Sequence, residues 1–257
     1  MYDCAKKLNL QVRCPLSLAN SEELSHIKSL KPDVVVVVAY GQILPLDFLN
    51  LKNIFFLNVH ASLLPKWRGA APIQRAIMNM DEETGISIMK IVEKLDAGPV
   101  LLKSKIKINK ESNYQDISKK MSSLGAKLIL NALDLIKSGN INFSDQNENE
   151  ATYAKKIDKK ESKINWNDSA SNIVAKINAL NPNPGCWFDL LGSRIKIIKA
   201  KEVNINGQPG AVLNENFTIA CSENAIKILE LQKEGKKKTT VQQFLRGNKL
   251  KSGITLI

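Results

Sequence analysis

The amino-acid sequence predicts an α/β protein with a mostly parallel sheet in its first part and a small β-barrel in its second. In the first part, apolar runs at Val34–Val38 and Phe55–Val59 alternate with helical patterns, which is typical of parallel strands covered by helices. In the second part, short strand-like segments follow one another between turn residues, which indicates a small barrel. The 257 residues, 44% of them hydrophobic, can form cores for two modest domains.

Periodicity and end signals place the elements of the first part. Asn20 with Glu23 predicts a capping box for the second helix, and Ser112 with Gln115 predicts one for a long amphipathic helix. Pro32 ends the second helix. The predicted elements are, in chain order, a helix over 2–10, a candidate short strand over 11–16, a helix over 21–30, strands over 34–38 and 55–59, a helix over 70–80, strands over 85–92 and 100–108, and a helix from 112 onwards.

The composition of the chain changes after Gly139. Residues 142–150 are almost all polar and have little to bury, which is typical of a linker. We therefore expect a first domain over 1–140, a linker over 141–160 and a second domain over 161–257. The predicted elements of the second domain are a helix over 170–180 and strands over 187–188, 194–199, 211–213, 217–220 and 226–231.

Three polar residues form the candidate catalytic group. Asn58 and His60 follow an apolar run, and their spacing places both side chains on the same side of a strand. Asp96 lies in a turn further along the chain. An amide, an imidazole and a carboxylate can together stabilise an oxyanion and move a proton, as acyl transfer requires. The alternative is that these side chains satisfy backbone groups at a strand end and in an ordinary turn.

The charge balance favours a polyanionic partner or an acidic surface. The chain has 37 Lys and Arg against 25 Asp and Glu, a formal net charge of +12. A solvated lysine-rich surface is the alternative explanation. The basic residues of the second part are Lys155, Lys156, Lys159, Lys160, Lys199, Lys201, Lys233, Lys236, Lys237, Lys238, Arg246, Lys249 and Lys251. Aromatic stacking platforms are scarce, so if the partner is a nucleic acid, recognition of its backbone by charge is favoured over reading of single-stranded bases.

The sequence predicts a cytoplasmic protein without a metal site. The four cysteines are scattered, and with only two histidines they cannot complete a zinc set, so reduced thiols are expected. The longest apolar stretch, Val34–Ala39, is far shorter than the roughly 20 residues that span a bilayer. Met1–Cys4 form no signal sequence, and we expect a monomer that does not bind membranes.

The stretch His60–Gln74 has the sequence HASLLPKWRGAAPIQ and resembles the methionyl-tRNA formyltransferases. The wider folate-dependent formyltransferases share the Asn, His and Asp and the Ser-Leu-Leu-Pro turn. The continuation Arg68–Gln74 is similar to the branch that acts on tRNA. Further segments that carry the resemblance, which covers nearly the whole chain, lie at 37–45, 84–89, 180–185, 229–232 and 244–247.

The resemblance implies transfer of a formyl group from 10-formyltetrahydrofolate to the α-amine of methionyl initiator tRNA, without a metal. Asn58 and protonated His60 are expected to stabilise the oxyanion, and Asp96 to orient His60 and assist removal of the amine proton. Folate-binding residues implied by the resemblance are Tyr40, Gly41, Gln42, Ile43, Leu44, Ser62, Leu63, Leu64 and Pro65. Residues implied to bind tRNA are Lys66, Arg68, Lys236, Lys237 and Lys238, although Arg68 has a structural ion pair as its alternative.

The resemblance also implies a Rossmann-like formyltransferase fold followed by an OB-like barrel that helps to hold the tRNA. Family members usually begin with a further strand, helix and strand. We therefore expect an N-terminally truncated sheet with apolar edges along Val34–Val38 and Phe55–Val59. Whether a chain that begins at Met1 is active stays open at this point.

Two further functions remain as alternatives. One is a folate-dependent formyltransferase or hydrolase with another acceptor, against which the Arg68–Gln74 segment and the basic second part argue. The other is a catalytically silent RNA-binding remnant. Binding of folate by the purified chain distinguishes this remnant from the two enzymes.

Overall fold

The computed structural model describes residues 1–248 and 253–256 and confirms the α/β class. Its helices are α1 (Tyr2–Lys7), α2 (Ser21–Leu30), α3 (Leu46–Leu49), α4 (Pro72–Met78), α5 (Tyr114–Lys137), α6 (Ala170–Leu180) and α7 (Val241–Gly247). Its strands are β1 (Val34–Val37), β2 (Phe55–His60), β3 (Arg68–Gly69), β4 (Glu83–Lys90), β5 (Val100–Lys107), β6 (Tyr153–Ala154), β7 (Cys186–Leu190), β8 (Ser193–Val203), β9 (Val212–Asn214), β10 (Thr218–Ala220), β11 (Ala225–Lys233) and β12 (Thr239–Thr240).

The first sheet has the order β1-β2-β4-β5 and is mixed. Strands β1 and β2 are parallel, whereas the pairs β2–β4 and β4–β5 are antiparallel, so the prediction of a mostly parallel sheet was wrong for these strands. The physical reason is the short connection between β4 and β5, because a parallel pair needs a crossover of a dozen or more residues. In addition, Lys103, Lys105 and Lys107 of β5 are exposed, as in a strand with one solvated face.

Helices α4 and α5 pack on this sheet, and side chains from the helices and the strands together form an apolar core. Buried members of the core are Leu57, Ile73, Ile77, Ile86, Ile88, Leu101, Ile117 and Met121. A Cβ at Gly125 of α5 would lie 3.1 Å from Cγ1 of Val59, so this glycine permits the helix to lie close to β2. The helices thus cover one face of the sheet and leave the C-terminal end of β2 free to carry polar residues.

Several predicted helix ends are corrected by one or two residues. Asn113, not Ser112, is the N-cap of α5, and Asp116, not Gln115, completes the capping box. Asn20 caps α2 as predicted, but the carboxylate of Glu23 contacts Arg13 at 2.6 Å. Residues 11–16 form no strand, so that prediction was wrong.

The predicted exposure of apolar strand edges is confirmed for one strand and wrong for the other. Strand β1 pairs with β2 as its single neighbour among the strands described, and Val36 and Val38 are 39% and 43% exposed. Strand β2 is paired on both sides, by β1 and β4, and its residues Phe56 and Leu57 are buried. Its edges are therefore covered.

The second sheet is antiparallel and curls into a half-barrel, with the order β7-β8-β11-β10-β9 and with β12 paired to β11. Its inner side carries a large apolar core against α6, including Ile173, Ile177, Phe188, Ile197 and Phe217. The short strands predicted for the second part of the chain therefore form a half-barrel. None of the helices in the described ranges is long and apolar enough to cross a membrane.

The residues between the two sheets contact the first one closely. Strand β6 pairs in parallel with β3, and the backbone of Ser144 exchanges two hydrogen bonds with Val100. Arg75 of α4 forms an ion pair of 2.7 Å with Glu161. The polar segment that the sequence marks as a linker is thus packed against the end of the first sheet.

Candidate active site

Asn58 and His60 lie at the C-terminal end of β2, as their spacing predicts. Asn58 is adjacent to Val37 of β1 on one side and Met89 of β4 on the other. The side chain of Val59 between them lies toward α5. The two polar side chains therefore share one face of the sheet, at the end of β2 that lies beside the start of the loop after β1.

The loop between β4 and β5 brings Asp96 to this face. Asp96 Oδ1 accepts a hydrogen bond from Asn58 Nδ2 at 3.4 Å, and Oδ2 lies 3.6 Å from Nδ1 of His60. Oδ2 also accepts a hydrogen bond of 2.8 Å from the backbone N–H of Gly69. The structure thus brings the three predicted catalytic side chains together, with those of His60 and Asp96 6% and 13% exposed.

The imidazole of His60 has an oxygen beside each ring nitrogen. Nε2 lies 2.9 Å from the carbonyl oxygen of Trp67, which can only accept, so Nε2 carries a proton. Nδ1 is the nitrogen that lies toward Asp96. Only the imidazolium form has protons on both nitrogens and so directs an N–H toward both oxygens. The arrangement can therefore present a positive N–H next to a carboxylate.

Asp96 and Trp67 both have left-handed backbone conformations, with φ of 47° and 61°. Such values are uncommon outside glycine and cluster at functional sites. In the Asp96 loop, a Cβ at Gly98 would lie 1.9 Å from the carbonyl oxygen of Lys90, so the close approach of the two backbones requires a glycine. The loop conformation is thus strongly determined.

The predicted folate wall from Ser62 to Pro65 is a rigid turn next to His60. Ser62 is fully buried and donates a hydrogen bond of 2.5 Å to the carbonyl oxygen of Lys66. Ser87 of β4 donates to the carbonyl oxygen of Ser62 at 2.7 Å and accepts from the N–H of Leu64 at 3.1 Å. The hydroxyl of Ser62 is therefore occupied inside the turn, and the turn can offer a surface of fixed shape.

The second predicted folate segment, Tyr40–Leu44, is a loop that follows β1. Tyr40 is 41% and Ile43 88% exposed, so these two side chains are not core residues. Gln42 Nε2 donates to the carbonyl oxygen of Leu16 at 3.2 Å. Because β1 lies beside β2, this loop and the Asp96 loop flank Asn58 from its two neighbouring strands.

Arg68 is not where the tRNA-binding prediction requires it. Its side chain is completely buried, and its guanidinium donates to Glu148 at 2.8 and 3.1 Å and to Gln146 at 2.9 and 3.1 Å. A buried guanidinium with these partners cannot contact a phosphate, so the alternative of a structural ion pair is confirmed. Hydrogen bonds from Arg68 and Lys94 lower the pKa of Glu148 to about 2, and the bond with Glu148 raises the pKa of Arg68.

Gln146 and Glu148 are site residues that sequence reasoning missed. Gln146 Nε2 donates to the carbonyl oxygens of Asp96 at 2.8 Å and Gly98 at 2.7 Å. Glu148 also accepts a hydrogen bond of 2.6 Å from Lys94, which belongs to the Asp96 loop. Both residues lie in the polar segment after Gly139, where no periodicity signals a structural role.

The other predicted tRNA-binding residues are exposed. Lys66 lies in the loop after the Ser62–Pro65 turn, and Lys236, Lys237 and Lys238 follow β11 in the half-barrel. Lys238 forms an exposed ion pair of 2.9 Å with Glu230, a type of contact that contributes little to stability. Lys249 and Lys251 lie outside the described residues.

The half-barrel also has a concave pocket of ≈ 280 Å³ that is lined in part by cationic and aromatic side chains. The guanidinium of Arg194 lies 3.9 Å above the ring of Trp187, and Lys196 lies beside them.

Within the ranges 1–248 and 253–256, no cluster of His, Cys, Asp or Glu side chains suitable for a metal ion occurs.

Comparison with protein families identifies both parts of the chain. Residues 4–133 match the formyl transferase model, and residues 156–249 match the formyl transferase C-terminal domain. The methionyl-tRNA formyltransferase of Pelagibacter ubique is 47% identical over 251 residues, which cover 97% of this chain and 81% of that protein. The methionyl-tRNA formyltransferase of Parvibaculum lavamentivorans is 43% identical over 255 residues, covering 97% and 82%.

Solved structures at lower identity share the fold. HypX from Aquifex aeolicus in complex with tetrahydrofolic acid has a TM-score of 0.66 at 20% identity, over 86% of this chain and 40% of that one. The sugar 3N-formyl transferase WlaRD has a TM-score of 0.69 at 20% identity, over 92% and 82%. The two family matches and the relatives at 43% and 47% identity show that the chain belongs to the formyltransferase family, among the methionyl-tRNA formyltransferases.

Proposed function

We propose that this protein transfers the formyl group of 10-formyltetrahydrofolate to the α-amine of methionyl initiator tRNA, in translation initiation. The observation that carries the proposal is the convergence of Asn58, His60 and Asp96 at the end of β2 in a chain up to 47% identical to methionyl-tRNA formyltransferases. Two surfaces support binding of a flat pterin: the Ser62–Pro65 turn, which Ser87 fixes, and the exposed side chains of Tyr40 and Ile43 in the loop after β1.

The catalytic roles follow from which atoms are already occupied. His60 Nε2 is fixed by the carbonyl of Trp67, so Nδ1 is the nitrogen that donates to the formyl oxygen. Asn58 Nδ2 has two N–H groups, one directed to Asp96 and the other free to stabilise the same oxygen. One well-placed donor of this kind contributes about 2.7–4 kcal/mol to transition-state stabilisation.

Asp96 has a different role in the same step. The amine of methionyl-tRNA attacks the formyl carbon and must lose a proton as the new C–N bond forms. Asp96 lies beside Asn58 and His60, and its carboxylate is the group that accepts this proton, directly or through a water molecule. The bond between the formyl carbon and N10 of the folate then breaks, and the folate nitrogen takes up a proton.

The half-barrel supports binding of the tRNA. Lys236 and Lys237 are exposed there, and Lys66 is exposed in the loop that follows the catalytic strand. We propose that these lysines contact phosphates, while the buried side chain of Arg68 stabilises the loop through its ion pair with Glu148. The proposed organisation is a catalytic domain over 1–140, a connecting segment over 141–160 and a tRNA-binding domain over 161–257, acting as a cytoplasmic monomer.

The direct test is formylation by the purified full chain with 10-formyltetrahydrofolate and methionyl initiator tRNA. The expected result is formylmethionyl-tRNA, with one tetrahydrofolate released for each formyl group transferred. Release of formate at the same rate without tRNA would indicate a hydrolase instead. Failure to bind folate, with tRNA binding retained, would contradict the proposal and indicate an RNA-binding remnant.

A further inference from the structure

Gln146 contacts the candidate site through the backbone of the Asp96 loop. Its Nε2 donates to Asp96 O and Gly98 O, and its Oε1 accepts from Nε and Nη2 of Arg68. Both N–H groups and both lone pairs of the amide are thereby used. The amide has one acceptable orientation, because a flipped amide would direct its oxygen at two carbonyls and its N–H groups at a guanidinium.

Arg68 gives this amide a fixed support. The guanidinium is fully buried, and Glu148 binds it through two further hydrogen bonds. The next residue, Gly69, donates its backbone N–H to Oδ2 of Asp96 at 2.8 Å. Asp96 is therefore held at its backbone oxygen by Gln146 and at its carboxylate by the residue that follows Arg68.

Besides the hydrogen bonds from Gln146, the Asp96 loop is held by the ion pair of Lys94 with Glu148, by the contacts of the Asp96 carboxylate and by the close backbone approach at Gly98. Its neighbours Glu93, Lys94 and Leu95 are exposed, Leu95 to 58%. Asp96 itself has the left-handed φ of 47°, a conformation that costs about 1–3 kcal/mol and persists when surrounding contacts over-determine it. The hydrogen bonds from Gln146 to residues 96 and 98 are the contacts that bracket this conformation.

We propose that Gln146 is a positioning residue for formyl transfer, which sets the orientation of the Asp96 carboxylate relative to His60 and Asn58. The inference rests on the proposed role of Asp96. Misplacing a reacting group by about 1 Å can lower a rate about 10²-fold. Gln146 is therefore expected to act on kcat, while binding of folate and tRNA, which other residues provide, stays unchanged.

The variant Gln146→Glu isolates this role, because its carboxylate still accepts from Arg68 but directs an oxygen instead of an N–H at the two loop carbonyls. We expect a fall in kcat of about 10²-fold, with unchanged KM for methionyl-tRNA and a lowered Tm, because the two loop carbonyls lose their donor. The matched control is Asn149→Asp, which adds the same charge on an exposed side chain of the same segment and is expected to keep the parent kcat. A second variant, Gln146→Met, removes the same donors without adding charge and should lower kcat as well.

A double-mutant cycle with Asp96→Asn gives a readout that a merely structural role would not change. If Gln146 acts through Asp96, then Gln146→Glu has no further effect on single-turnover formylation in the Asp96→Asn background. Independent, multiplicative losses, or a parent-like kcat in Gln146→Glu, would overturn the inference while leaving the proposed function intact. Full turnover by Asp96→Asn alone would overturn both.

Discussion

Nδ1 of His60 lies 3.6 Å from Oδ2 of Asp96 at the end of a strand whose other face is packed against a helix. This separation is longer than a hydrogen bond, so the contact differs from the tight His–Asp hydrogen bond of a hydrolase triad. The histidine is instead held through its other nitrogen, by the carbonyl of Trp67. In the proposed reaction, the Asp96 carboxylate is the group that the amine approaches.

The ion pair between Arg68 and Glu148 predicts an acid-sensitive part of the stability. The pKa of Glu148 is lowered to about 2 from its ordinary value of 4.5, so its contribution is fully present above pH 4.5 and is lost as the pH falls toward 2. The free energy of unfolding, measured with urea across this range, should decrease. Glu148→Gln should be less stable at neutral pH and should show a weaker decrease, whereas a decrease identical to that of the parent would contradict the assignment.

The buried thiols predict selective alkylation. Burial raises the pKa of Cys186 to about 12 and that of Cys221 to about 11, and the thiolate is the reactive form. Cys4 and Cys14 are exposed. With iodoacetamide at pH 8, peptide mass spectrometry should find label on Cys4 and Cys14 in the folded protein, and on the other two after unfolding in urea. Rapid labelling of Cys186 without unfolding would show that the half-barrel core is open.

Asn113 is the N-cap of the long helix α5, and a substitution tests its contribution to stability. Asn113→Ala should lower the free energy of unfolding by about 1 kcal/mol, because it removes the acceptor for the N–H of Asp116. Gln115→Ala is the control, since this exposed side chain lies in the first turn without being part of the capping box. Equal losses in the two variants would contradict the observed cap.

The exposed lysines of the half-barrel predict the salt dependence of tRNA binding. Replacing Lys236 and Lys237 by alanine should weaken binding and reduce the slope of log affinity against log salt by about 1 per lysine. A variant with the same net charge, Lys127→Ala with Lys137→Ala on α5, should keep the parent slope. If both double variants lose affinity equally, net charge rather than this surface controls binding.

The sequence was sufficient to predict the central part of the site. Strand geometry alone places Asn58 and His60 on one side, and the similarity of the surrounding segments adds Asp96. It did not indicate Gln146 and Glu148, because they lie in a polar stretch and their partners are distant in the chain. The burial of Arg68 was not predictable either, because its partners Gln146 and Glu148 are distant in the chain. The antiparallel pairing of β4 with β5 had a signal, the alternation of lysines in β5, which the prediction did not use.

The most direct measurement is single-turnover formylation of methionyl-tRNA by His60→Ala and Asp96→Asn, with tRNA affinity measured on the same preparations. The account predicts losses of at least about 10²-fold in rate for each variant. It also predicts parent-like tRNA affinity, because neither side chain lies on the half-barrel. A parent-like rate in either variant would contradict the claim that these residues carry out the transfer.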